Sequence, residues 1–274
     1  MRVRFYGTRG SIAVSDREYL EFGGDTSCVL VMLSNGRVGI LDAGTGIRKL
    51  GNDLIAAGHE QFDNIFIGFS HTHWDHIQGF PFFKLAYDSR RKFTLAIFGR
   101  SRSARSLKDI FATQMQDEYF PTPLNSMGAA INFWEPENSG FTSDFGIDVA
   151  TSKHNHPGGA YGYRIHEEGK VLVYCTDVEH GEVIDPGVVA FARGADLLIH
   201  DAQYTPDELK KKKGWGHSSW VQAVEVAERA GVKKLALFHH DPEHPDSFLL
   251  NIEKQCQERF PGCFVAREGM EIEL

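Results

Sequence analysis

The run Phe69-Ser70-His71-Thr72-His73-Trp74-Asp75-His76 places three imidazoles and a carboxylate within a few residues of one another. It follows the apolar run Ile65-Phe66-Ile67-Gly68-Phe69, which predicts a buried strand. The C-terminal end of such a strand is where α/β sheets place their ligands. His71 and His73, two residues apart, share one face of the extended exit. Asp75 and His76 then open a turn or helix that folds back over the same spot, so the four donors converge on room for one or two metal ions. The alternative is a polar loop of surface histidines. It leaves a dense set of ionisable groups with nothing to coordinate or neutralise.

Other strand-like runs end in the same residue types. Val38-Gly39-Ile40-Leu41 ends at Asp42, Lys170–Cys175 at Thr176-Asp177, Asp196–Ile199 at His200-Asp201, and Lys234–Phe238 at His239-His240. Taken alone, Asp42 is also a reasonable helix cap or turn former. Adjacent strand residues face opposite ways, so only one of His239 and His240 points inward. His154-Asn155-His156 offers a similar choice. His217 stands beside Ser218 and Ser219, which suit a helix N-terminus, whereas His59, His166, His180 and His244 read as surface residues.

The elements that must position these groups follow in order. Val3 and Phe5 alternate with arginines, as in an edge or half-buried strand; Asn35-Gly36 marks a hairpin between Ser27–Leu33 and Val38–Leu41. Helices are expected over Ile47–Ala57, Ser218–Ala230 and Pro245–Phe260, and strands over Ile65–Phe69, Tyr161–Ile165, Lys170–Cys175 and Lys234–Phe238. Residues 80–145 are read as an insertion or lid on a single domain spanning 1–274. Within them Phe80-Pro81-Phe82-Phe83 packs the core or shapes the pocket mouth. Arg90, Arg91, Lys92, Arg100, Arg102 and Arg105 form a basic stretch, and Tyr119–Leu124 is a proline-broken loop. The Lys210–Lys213 run reads as a solvated helix end.

With 274 residues, 42% of them hydrophobic, the chain can build a sizeable core, and a net charge of −8 argues against a scaffold that holds nucleic acid by its overall field. No run reaches the roughly 18 apolar residues of a membrane span, and the N-terminus has no signal-peptide core, so a cytoplasmic protein is expected. Cys28 and Cys175 read as buried thiols; only Cys256 and Cys263 are near enough in sequence for a disulfide.

His-Thr-His-Trp-Asp-His resembles the His-x-His-x-Asp-His signature of the metallo-β-lactamase superfamily, and the resemblance runs from the first strand to His239. It implies a four-layer αββα sandwich of the α+β class. It also implies a dinuclear centre in which His71, His73 and His156 (with His154 as competitor) hold one ion and Asp75, His76 and His239 (or His240) the other. Asp177 would bridge the two, and Asp42 would orient from behind. Two divalent ions are implied, zinc first, with manganese or iron as alternatives.

His200-Asp201-Ala202 and His217-Ser218-Ser219 resemble paired segments of the ribonuclease Z and cyclic phosphodiesterase branch, with Asp201 where glutamate is usual. The resemblance makes His217 the proton donor to a leaving alkoxide, Asp201 its orienter, and a metal-bridging hydroxide, aligned by Asp75, the nucleophile. The expected partner is a small phosphodiester, cyclic nucleotides included. Only a strand hairpin fits between His156 and Asp177, where ribonuclease Z carries a tRNA-clamping arm, which argues against tRNA. A homodimer is a carry-over from relatives. The rival functions are a thioester, lactone or lactam hydrolase of the same fold, which needs no leaving-group histidine, and a metal-containing sensor that binds without turnover.

Overall fold

The computed structural model describes residues 1–58, 64–98, 105–136 and 147–274. His59, Arg100 and Arg102 lie outside them. Among the described residues, thirteen strands form two sheets: β1 (Arg2–Gly7), β2 (Cys28–Met32), β3 (Val38–Leu41), β4 (Asn64–Phe69), β5 (Lys92–Ile97) and β6 (Ala130–Trp134) in the first. The second holds β7 (Asp148–His154), β8 (Ala160–Glu167), β9 (Lys170–Cys175), β10 (Leu197–Asp201), β11 (Lys234–Phe238) and β12 (Cys263–Val265). The last strand, β13 (Glu271–Glu273), crosses back to pair with β1.

Strand alternation creates the layers. In β2, Val29 and Val31 face the second sheet with Val3, Phe5, Tyr163, Tyr174, Ile199 and Phe238, while Cys28 and Leu30 face outward. That outer face is covered by α1 (Ile47–Ala56) and α3 (Leu107–Gln114) through Leu50, Leu54 and Phe111. The outer face of the second sheet is covered by α4 (Pro186–Ala192), α6 (Trp220–Ala230) and α7 (Asp246–Arg259) through Val188, Val224 and Ile252. The result is the expected αββα sandwich, with short α2 (Trp74–Ile77) and α5 (Pro206–Lys211) at its rim.

Three expectations change. Of the two readings of β1, the edge strand falls because β13 pairs outside it, and the half-buried strand stands, with Val3 and Phe5 buried and Arg2 and Arg4 not. The described part of segment 80–145 contributes β5, α3 and β6 to the first sheet and its cover. His180 and His244 are buried: His180 stacks on His200, and His244 lies against Phe248 with Nε2 2.9 Å from Glu208 Oε1. All four cysteines are free and buried. Among the described residues, no helix is long and apolar enough to cross a membrane.

Within the basic stretch, Arg90 pairs with Asp88 at 2.8 Å and Arg91 is buried beside the same carboxylate. Phe80 and Phe83 enter the core while Phe82 stays exposed. β3 and β4 run parallel, as do β9, β10 and β11, so five strand exits open at one end of the sandwich.

Candidate metal centre

Three exits share an unusual backbone. Asp42, Asp177 and His239 follow the ends of β3, β9 and β11 in left-handed conformation, with φ of 60°, 55° and 62°. L-residues avoid that region, and it halts the strand and turns the side chain toward the sandwich's mouth. From β4, Ser70 leads to His71 and His73, and α2 returns Asp75 and His76 over them. β7 supplies His156 two residues beyond its end; β10 supplies Asp201, and the turn before α6 supplies His217.

These side chains meet as two groups on either side of Asp177. Its Oδ1 lies 3.6 Å from His71 Nε2 and 3.8 Å from His156 Nε2. His156 Nε2 is 3.1 Å from His73 Nδ1. Asp177 Oδ2 lies 3.2 Å from His76 Nε2 and 3.4 Å from His239 Nε2, and His239 Nε2 stands 3.1 Å from Asp75 Oδ2. His154 faces away, with Nδ1 on the Thr176 carbonyl at 3.2 Å, and His240 likewise reaches the Ala266 carbonyl. The structure thus gathers His156 and His239 rather than their competitors.

The imidazoles are held from behind. His76 Nδ1 is 2.8 Å from Asp42 Oδ2, and Asp42 also accepts from Ser70 N, Ser70 Oγ and Tyr174 OH. His156 Nδ1 donates to the Gly216 carbonyl at 2.9 Å, and His239 Nδ1 lies 3.2 Å from Gln203 Oε1. Such outer contacts fix ring orientation and which nitrogen is free.

His71 Nε2 is buried and has no hydrogen-bond partner. His76 Nε2 and His239 Nε2 confront each other at 3.2 Å, a contact that needs a proton or a cation between the lone pairs. Burial pushes His71 well below the usual imidazole range and lowers His73 and His156 too. Burial also opposes charge on His76 and His239, but the carboxylates win. Asp177, Asp75 and Asp42 hold His76 well above its usual range, and Asp177 and Asp75 raise His239 to about 9. Conversely, the imidazoles outweigh burial and keep Asp75 and Asp177 well below the normal carboxylate range. The carboxylate charge demands a positive partner, and this nitrogen and oxygen donor set fits a divalent metal.

Beside the cluster, His217 Nδ1 lies 2.7 Å from Asp201 Oδ2, and its ring stacks on His239 at 4.9 Å. Asp201 is fully buried and accepts also from the Ser218, Gln203 and Asp177 amides. A pocket of about 380 Å³ lined by Ser11, Thr72, His73, Trp74, Asp75, Asp177 and His217 opens over the site.

Sequence reasoning missed Ser11, Ser70, Tyr174, Glu179 and Gln203. Gln203 is two residues past Asp201, so extended-chain periodicity could have found it. Ser11 has no local signal: it reaches Asp75 (N to Oδ2, 2.7 Å) because buried Arg9 ties its loop to the Gly23, Asp241 and His244 carbonyls.

The likeness to known proteins agrees with this geometry. A Ribonuclease Z of Gemmatimonas aurantiaca is 36% identical over 88 residues, 32% of this chain and 28% of that relative, so the match spans less than a third of its length. A Ribonuclease Z of Natronomonas pharaonis is 23% identical over 320 positions, covering 100% of this chain and 98% of the relative. These relatives give no support to the expectation against tRNA. Among solved structures, the metallo-beta-lactamase fold protein YhfI from Bacillus subtilis shares 20% identity and a TM-score of 0.72 over 100% of this chain and 98% of that one. The sequence profile described as Beta-lactamase superfamily domain matches residues 40–240, the span holding every donor from Asp42 to His239, and the chain belongs to that family.

Proposed function

We propose that this protein is a metal-dependent phosphodiesterase acting on a small, cyclic or nucleotide-type phosphate ester. The observation that carries the reading is the Asp201–His217 pair set against the two donor groups around Asp177. His71, His73, His156 and Asp177 Oδ1 would hold one divalent ion, and Asp75, His76, His239 and Asp177 Oδ2 a second, with zinc preferred and manganese or iron as alternatives. When bound, such a pair supplies Lewis-acid stabilisation of phosphoryl charge and an activated water.

The chain's own residues supply the rest. Asp75, fixed by the Ser11 amide, aligns the attacking water with the phosphorus. His217 keeps Nδ1 on Asp201, which leaves Nε2 to give a proton to the departing oxygen as the P–O bond breaks. An alkoxide leaves poorly without that proton, whereas a thiolate hardly needs it, so the dyad favours phosphodiesters over thioesters. The β8–β9 hairpin occupies the interval between His156 and Asp177 and supports a small substrate.

Turnover of bis(p-nitrophenyl) phosphate with zinc or manganese, lost on chelation and restored by metal, is the expected result. A metal-loaded protein inert to phosphodiesters but active on thioesters or lactones would overturn the proposal.

A further inference from the structure

The chain has four tryptophans. Trp134 packs on Phe66 and Phe98, and Trp220 packs against the helices of the second sheet. The other two are left open to solvent, Trp74 at 62% and Trp215 at 61%. An indole offers more apolar surface than any other side chain, and leaving two of four in water needs a reason. Trp74 lines the site's pocket, and Trp215 adjoins the site through its neighbours in the chain. Trp74 lies between His73 and Asp75 and lines the pocket with them. Trp215 lies two residues before His217 and directly before Gly216, whose carbonyl holds His156.

Neither indole hangs on a loose loop. Trp74 opens α2, whose next two residues are members of the donor cluster. Glu179 clamps the backbone on both sides of Trp215, accepting from Gly214 N and Gly216 N at 2.8 Å each. Lys212 Nζ sits 5.7 Å from the Trp215 ring and 4.4 Å from the Tyr204 ring, and is fixed by Asp241 Oδ2 at 3.0 Å. Tyr204 in turn packs edge-on to His217 at 5.8 Å. A backbone fixed in this way at both positions lowers the cost of ordering the rings on binding.

We propose that Trp74 and Trp215, the latter backed by Lys212, form a stacking subsite for the planar base of a nucleotide whose phosphate lies at the histidine–aspartate cluster. This rests on the phosphodiesterase reading and adds the substrate class to it. A nucleobase fits because it presents π-faces to indoles and polar edges to a pocket of histidines and carboxylates, whereas a purely apolar partner would strand those polar groups. The base can come from a free nucleotide or from the end of an RNA strand.

The test is the affinity of the metal-loaded protein for adenosine 5′-monophosphate and for ribose 5-phosphate, which differ only in the base, measured by calorimetry. Stacking predicts that the nucleotide binds roughly tenfold or more tightly. The preference should fall toward unity in Trp74→Leu and Trp215→Leu and survive in the corresponding phenylalanine variants, with ribose 5-phosphate binding unchanged throughout. Equal affinities in the unaltered protein, or a preference that persists in both leucine variants, overturns the subsite. A triadenylate that binds no tighter than the mononucleotide assigns the base to a free nucleotide; further gain with the triadenylate assigns it to a strand. Base preference without phosphodiester turnover would sink the activity and keep the subsite, and turnover without base preference would do the reverse.

Discussion

If His217 protonates the leaving oxygen, its removal must hurt in proportion to how badly that oxygen needs a proton. The structure fixes the terms: Nδ1 is committed to Asp201 at 2.7 Å, the ring is stacked on His239, and the side chain lines the pocket. General acid catalysis is worth about 10²- to 10⁴-fold, or about 3–5 kcal/mol of barrier. On a nucleoside 2′,3′-cyclic phosphate, His217→Ala should therefore lower kcat/KM by roughly that factor. On bis(p-nitrophenyl) phosphate, whose phenolate leaves unaided, the loss should stay within about tenfold. Asp201→Asn should show the same dependence on leaving group. Its amide must turn the NH2 either to His217 Nδ1 and the Asp177 N–H or to the Gln203 and Ser218 amides, all of which now face an acceptor. Burial pushes the Asp201 carboxyl upward, but His217 prevails and keeps it below its usual range, so the anion is available to hold the ring. The assay is kcat/KM for both variants on both substrates, with metal content and circular dichroism as controls. Equal losses on the two substrates would refute the proton-donor role.

Two further predictions concern the frame around the site. Gly216 has φ +90°, and a Cβ there would lie 2.2 Å from His156 Nδ1, so Gly216→Ala should displace that ring and weaken metal affinity about 10- to 100-fold by competition with a chromophoric chelator; unchanged affinity would show that the Gly216–His156 contact does not support the centre. Glu268 is raised to about 7, chiefly by burial, so the folded protein binds its proton more tightly than the unfolded chain does. The associated stabilisation is complete below about pH 4.5 and is lost as pH rises to about 7, so Glu268→Gln should gain about 3 kcal/mol over the unaltered protein at pH 8.5 and little at pH 4.5. Urea melts that give the same difference at both pH values would contradict it.

The sequence was most legible where one residue type repeats at one place. Strand β4 and the cluster after it could be read together because a buried strand must end in a polar exit, and here that exit is crowded with donors. α6 was legible because Ser219 and Gln222 cap it reciprocally and Gly231 closes it at φ 65°. The choice between His239 and His240 was not. It turns on the left-handed backbone at His239, which only the assembled sheet imposes. That β1 is not an edge depends on a strand about 270 residues away in the chain. His180 and His244 misled because histidine is compatible with either environment; long-range contacts with His200 and Glu208 decide it. Ser11 and Tyr174 act on Asp75 and Asp42 from distant segments, and no local pattern carries that information.

The left-handed turns at Asp42, Asp177 and His239 bear on how such a chain evolves. Each costs about 1–2 kcal/mol that glycine would not incur, against a typical net stability of about 5–15 kcal/mol. At Asp42 the hydrogen bonds it accepts from Ser70 N, Ser70 Oγ and Tyr174 OH outweigh that cost, whereas at Asp177 and His239 selection for folding alone would favour glycine and empty the pocket. A lineage of this chain relieved of its chemistry should drift toward those glycines first. Their presence in a homologue would mark a scaffold kept for some other purpose.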